Sequence, residues 1–159
     1  MSPRKANESG FFFFVRDCSP QAFEVIDFTG TESLSRPYRF SIRLLCRDAR
    51  QASRELIYRD ATLFVERNGE CYPWSGVIGE STVLDARNDG VVIAVTLRPR
   101  LWLLQMNVRS RIIQKMAVPD IIDRVLREAG MPSASFSIEC TGGTYPVLEY
   151  VAQHKESDL

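Results

Sequence analysis

Arg36-Pro37-Tyr38-Arg39-Phe40-Ser41-Ile42-Arg43-Leu44-Leu45 is the stretch that decides the fold class. Tyr38, Phe40, Ile42 and Leu44 alternate with Arg39, Ser41 and Arg43. Strand side chains change face at every residue, so this alternation predicts a strand with one buried apolar face and one wet, cationic face. The aromatics and the arginines then point in opposite directions. A platform for stacking nucleic-acid bases needs both on one face, so the aromatic set reads as core. Arg39 and Arg43 are left as candidate protein-interface residues.

The neighbouring segments carry the same signature. Phe11 to Asp17 and Ala22 to Phe28 are aromatic and β-branched, and Ser19-Pro20 between them predicts a hairpin. Asp48 to Ile57 lacks a clear period and reads as a loop with a short helical turn. Ala61 to Arg67 runs into Asn68-Gly69, a pair that tolerates positive φ and suits a tight hairpin. Cys71 to Leu84 is the returning strand, with Gly76 and Gly79 allowing bulges or sharp coiling. Asn88-Asp89-Gly90 marks a further turn before Val91, Ile93, Val95 and Leu97 alternate into Arg98-Pro99. Six strands joined by turns predict an antiparallel barrel or sandwich.

Beyond Pro99 the texture changes. Leu101-Trp102-Leu103-Leu104 is an apolar knot expected to plug a barrel end, and Asn107 to Gln114 reads as extended. Ile121, Ile122, Val125, Leu126 and Ala129 recur at helical spacing, with Pro119 in the first turn and Gly130 past the end. Asp120 with Arg124, and Asp123 with Arg127, are spaced as exposed pairs. Ser135 to Cys140 reads as a strand, Thr141-Gly142-Gly143 as a turn, and Leu148 to His154 as extended. Ser157-Asp158-Leu159 looks like the start of a helix with no helix after it, which predicts that the chain is a fragment.

Composition bounds the function. The 159 residues are 45% hydrophobic and 25% charged, ordinary for a globular chain with room for one domain and part of another. No apolar run approaches the roughly 20 residues of a membrane-spanning helix. Twenty basic groups balance twenty acidic ones, which removes the simplest argument for nucleic acid, and a neutral surface suits protein neighbours. The basic side is 17 Arg to 3 Lys. Arg favours planar, partly dehydrated contacts, so the bias fits interfaces, although Arg-rich codon usage explains it equally well.

Candidate chemistry is thin. Cys18, Cys46, Cys71 and Cys140 form no CxxC or CxxH pair, so no metal site is expected. His154 is the only histidine, and with Cys140 it makes a nucleophile and base conceivable, but no orienting group or nucleophile turn accompanies them. Gly142-Gly143 lacks the helix and Lys of a phosphate loop. The apolar stretch Phe11 to Val15 is shorter than the roughly 7 to 15 residues of a secretory signal core, which predicts synthesis in the cytoplasm with reduced thiols.

Seven blocks in register carry a resemblance. They are Phe23-Glu24-Val25 with Phe28-Thr29-Gly30; Glu32-Ser33-Leu34-Ser35 with Pro37-Tyr38-Arg39-Phe40; Trp74-Ser75-Gly76-Val77-Ile78; and Leu97-Arg98-Pro99 with Leu101 to Leu104. Then come Arg109-Ser110-Arg111-Ile112-Ile113-Gln114, Pro119-Asp120-Ile121-Ile122, and Tyr150 to Leu159. In this order they make residues 11 to 159 resemble the N-terminal, phage baseplate-hub-like region of VgrG, the spike protein of type VI secretion.

The resemblance implies a mainly β fold: an antiparallel β-barrel of the baseplate-hub type with one inserted helix, then the start of a second related barrel. Residues 1–10 would be a flexible leader, 11–100 the first barrel, and 101–159 the connecting segment, helix and truncated second barrel. It implies a structural, non-enzymatic protein that forms a homotrimer, docks on a hexameric tube protein, meets spike-tip and effector proteins, and is exported by the type VI apparatus. It brings no catalytic, cofactor or metal residues. The competing readings are a small nucleic-acid-binding barrel and, behind it, a hydrolase using Cys140 and His154.

Overall fold

The computed structural model describes residues 10–48, 51, 55–87 and 89–159, and its contacts divide the chain into two compact units, Met1–Pro99 and Arg100–Leu159. The expected leader therefore lies outside the described residues except for Gly10, as does half of the Asp48 to Ile57 loop.

The first unit is one antiparallel sheet of six strands: β1 (Phe11–Val15), β2 (Phe23–Ser33), β3 (Arg36–Cys46), β4 (Asp60–Arg67), β5 (Glu70–Arg87) and β6 (Gly90–Arg98). Their order is β1-β4-β5-β6-β3-β2, and the sheet curls into a half-barrel. The alternation in β3 is realised: Phe40, Ile42 and Leu44 are buried while Arg39, Ser41 and Arg43 are exposed. Phe13, Leu63, Ile78, Ile93 and Leu97 complete the floor of that core. Leu56, from the stretch read as a loop, is also buried there at 2% exposure.

Two tight turns follow the sequence closely. Asn68 and Gly69 both hold positive φ, 55° and 78°, and close β4 onto β5. Gly79 falls at a bulge between Ile78 and Glu80, and a second bulge lies between Val83 and Asp85, which lets the 18-residue β5 coil.

The expected β1–β2 hairpin does not form. β1 pairs with β4, from Phe11 opposite Val65 to Val15 opposite Ala61, and β2 pairs with β3 at the opposite edge of the sheet. The connection explains why. Cys18 N–H donates to the Val15 carbonyl (3.2 Å) and Ala22 N–H to the Ser19 carbonyl (2.9 Å). Two successive turns, with Asp17 at φ 63°, carry the chain away from β1 instead of folding it back. Side chains bridge the two edges nonetheless: the Phe11 and Phe28 rings meet edge-on at 5.1 Å. Phe28, Phe40, Tyr38 and Trp74 continue this aromatic line through the interior.

The second unit contains a 3₁₀ segment, Arg100–Met106, then β7 (Val108–Ala117), α1 (Val118–Glu128) and β8 (Val147–Ser157). β7 and β8 form a separate antiparallel pair. In α1, Pro119 and Asp120 occupy the first turn and Arg127 the last, and Gly130 ends it at φ 77° with its N–H on the Arg127 carbonyl. Leu126 and Ile113 are buried. The amphipathic helix read from the sequence is thus present.

Leu101 to Leu104 forms part of the 3₁₀ segment, where Leu104 is buried and Leu101 is 38% exposed. The Leu104 carbonyl accepts Asp158 N–H at 3.2 Å. Two expectations in this unit need correction. Ser135 to Cys140 is not a strand. Ser135 turns both its N–H (2.8 Å) and its hydroxyl (2.6 Å) onto the Pro132 carbonyl, closing a 3₁₀ turn. Asp123 pairs with Arg127 as spaced (2.6 Å), but Arg124 pairs with Glu128 (2.7 Å) rather than with Asp120. Ser157 is the last residue of β8, its hydroxyl donating to the Leu159 carbonyl at 3.0 Å.

Candidate protein interface

The sheet register organises the outward side of the first unit into rungs. Asp27 of β2 stands opposite Arg43 of β3, and Arg43 opposite Ala94 of β6. Two residues along, Thr29, Ser41, Thr96 and Glu80 form the next rung across β2, β3, β6 and β5. The bulge at Gly79 sets Glu80 at that position. The third rung holds Thr31 and Arg39. Two arginines thus flank a row of hydroxyls on a groove of about 410 Å³.

Both candidate arginines are exposed and both are engaged within the chain. Arg43 grips Asp27 with a fork: Nε lies 2.8 Å from Oδ1 and 3.0 Å from Oδ2, and the terminal nitrogen also donates to Oδ2. That hydrogen bond holds the Asp27 carboxyl below its usual range and pushes the Arg43 guanidinium up. Arg39 holds Glu80 by one contact at 3.4 Å. The face is cationic in sequence but largely neutralised in place. Thr96 is buried at 6% exposure, and its hydroxyl has no hydrogen-bond partner among the described residues.

A second constellation, in the second unit, carries no local sequence signal. The Asp158 side chain is fully buried, and its Oδ1 accepts from Arg111 (2.5 Å) and from the Gln153 amide (3.1 Å). Arg111 also donates to the Gln153 carbonyl oxygen and to Glu128, both at 2.7 Å, and Arg109 Nε lies 3.6 Å from Asp158 Oδ2. Arg109 and Arg111, two residues apart on β7, share one face and both reach one carboxylate. Asp158 backbone N–H is shared by the Leu104 and Asn107 carbonyls. Asp158 therefore ties β7, β8 and the 3₁₀ segment together, and Arg111 extends the cluster to α1 through Glu128. Arg109, Arg111 and Asp158 are visible in sequence only as ordinary charges; the signal was the ladder register, which brings Arg111 opposite Gln153.

The remaining candidates are not assembled. Cys140 and His154 are both exposed, and no hydrogen bond joins them. Cys18 and Cys46 are buried as small core residues. Among the described residues, no group of three His, Cys, Asp or Glu side chains is placed to hold a metal ion, and no helix is long and apolar enough to cross a membrane.

Comparison with known proteins gives a consistent picture. Residues 31–159 match the family model described as phage tail baseplate hub (GPD). A type VI secretion system spike protein of Pseudomonas aeruginosa, VgrG5, is 31% identical over 157 residues, covering 97% of this chain and 19% of the relative. A solved structure of the Escherichia coli c3393 protein superposes with TM-score 0.76 at 26% identity, over 92% of this chain and 40% of that one. That protein is described as a type VI secretion component structurally similar to the T4 bacteriophage tail proteins gp27 and gp5. A tail protein from Neisseria meningitidis shares the fold at TM-score 0.62 and 11% identity. The chain thus spans about a fifth of the curated relative and two fifths of the solved chains.

Proposed function

Because the chain belongs to the phage tail baseplate hub family and is homologous to the VgrG spike proteins over most of its length, we propose that it is the hub segment of a type VI secretion spike. It works by shape and symmetry, without turnover. In this reading the half-barrel is the first hub barrel and Arg100–Leu159 the entry to a second. The complete protein forms a homotrimer, docks on the hexameric tube protein, meets spike-tip and effector proteins, and passes from the cytoplasm through the secretion apparatus.

The observation that carries the reading is the relative that aligns along 97% of this chain. The residue geometry supports it. On β3 Phe40, Ile42 and Leu44 are committed to the interior, and the outward face offers paired, hydrogen-bonding charge suited to a protein neighbour. The nucleic-acid reading finds no support, since Phe40 is buried and the arginines beside it face outward onto carboxylates.

Arg39 and Arg43 are assigned to the docking face. In the full-length protein, the double reversal Arg39→Glu with Arg43→Glu is expected to abolish co-elution with the tube protein while the circular dichroism of the fold is kept. Unchanged co-elution would remove the assignment.

A further inference from the structure

Two apolar features of the first unit face outward. One is the tip of the β2–β3 hairpin. β3 pairs with β6 only from Phe40 onward, so Thr31 to Arg39 forms a two-stranded arm beyond β6. Its ladder runs to Ser33 opposite Arg36, Ser35 closes the turn at φ 60°, and the Tyr38 hydroxyl fastens its base to the Ser75 carbonyl at 2.5 Å. Leu34 stands at the tip of this braced arm, 96% exposed.

The other feature lies on the outer side of β1, β4 and β5. With Phe13 and Val15 turned inward, Phe12 and Phe14 are left outside, 43% and 40% exposed. The ladder sets Phe12 opposite Phe64 and Phe64 opposite Pro73, one continuous apolar rung with Phe14 beside it. A single exposed leucine is ordinary, but phenylalanines and a proline gathered on one outer face mark a contact site.

Position and charge match the two features. β3 and β5 both run antiparallel to β6, so the β2–β3 and β4–β5 hairpins turn at the same end of the sheet. The patch reaches that end through Glu66 and Arg67, which follow Phe64 along β4 towards its turn. Glu32 and Arg36 flank Leu34 on the arm. None of these four charges has an ion-pair partner among the described residues.

We propose that Leu34 of one copy seats on the Phe12, Phe64 and Pro73 rung of a second copy of this chain, with Arg36 against Glu66 and Glu32 against Arg67. The occupant is a second copy because one chain carries both the apolar knob and the apolar patch, at the same end of the sheet and without overlap. Such a contact is head-to-tail, and it repeats around a ring of copies standing side by side. Each unpaired charge then meets an opposite one, which fixes the register of the contact. The proposal rests on the reading of the chain as a segment of a homotrimeric hub and adds which surfaces join its copies.

The test uses the exposed native thiol of Cys71, which stands opposite Glu66 beside the patch. In the full-length protein, Leu34→Cys oxidised with copper phenanthroline is expected to form a disulfide with Cys71 of the next copy. Non-reducing gels should then show two-chain and three-chain products that Cys71→Ser removes. Arg36→Glu should cut their yield about threefold or more, and Glu66→Arg added to the same chain should restore it, a rescue that a general disturbance of the fold does not give. A Leu34→Cys product that stops at two chains and survives Cys71→Ser is a tip-to-tip link, and it would overturn the proposal. So would a product made with the tube protein in place of a second copy. Light scattering on the same samples separates this contact from the reading beneath it. A three-subunit particle without the Cys71-dependent products keeps the hub and sinks the contact, whereas a monomer sinks the hub reading itself.

Discussion

Asp158 shows how much a single residue can hold. Its carboxylate is fully buried against Arg111 and Gln153, and truncation strips Arg111 of one of its two carboxylate partners, the other being Glu128. Asp158→Ala is expected to cost the second unit about 2 kcal/mol. Amide hydrogen exchange along β7 should accelerate accordingly, and unchanged protection would contradict the role. Glu128 provides the acid-side counterpart. The hydrogen bond from Arg124, followed by the charges of Arg111 and Arg109, holds its carboxyl below the usual 4.5. A carboxylate depressed in the folded state stabilises above its unfolded value and loses that contribution as pH falls through the folded one. Stability should therefore decline below about pH 4.5, and Glu128→Gln should blunt that decline in urea titrations across this range. In the first unit, burial and then Glu32 push the Tyr38 hydroxyl up to about 12, while it donates to the Ser75 carbonyl at 2.5 Å. Ultraviolet titration should show a late phenol that Tyr38→Phe removes, at a cost of about 1 kcal/mol. Apart from the Arg124–Glu128 pair, one helical turn apart, these placements do not follow from local pattern, because each depends on which distant strand supplies the partner.

At the scale of elements, the readings that succeeded had local causes. The β3 alternation, the Asn68-Gly69 turn and the helix from Pro119 to Gly130 each follow from period or backbone preference within a few residues. The β1–β2 hairpin failed because pairing is a tertiary choice: Phe13 and Val15 suit an interior shared with Leu63 and Ala61, and two turns deliver β2 to the far edge. Ser135 to Cys140 failed because apolar alternation without a ladder partner does not make a strand. Gly76 was read as a place for a bulge or sharp coiling; no bulge falls there, and the structure gives another reason for the glycine. A Cβ there would lie 1.9 Å from the Arg98 carbonyl oxygen, where β5 and β6 meet. Gly76→Ala must separate backbone from backbone, and is expected to cost about 3 kcal/mol in chemical denaturation. A negligible change would mean that the junction relaxes freely.

For the molecule as a whole, the fold class and the family were legible, since ordered blocks from Phe23 to Leu159 carried the resemblance that the comparisons bear out. The candidate interface was legible only in part. Arg39 and Arg43 could be assigned to a wet face, but their neutralisation by Glu80 and Asp27 depends on a bulge and a register that sequence does not display. The two units also divide the energetic argument. The first rests on a continuous apolar core, while the second leans on one buried charge cluster beside the single buried side chains of Leu104, Ile113 and Leu126. The central claim, a hub segment working through symmetry, is tested most directly by the mass of the full-length polypeptide that carries this chain. Multi-angle light scattering should give three subunits per particle at all accessible concentrations; a particle that remains a monomer would contradict the account.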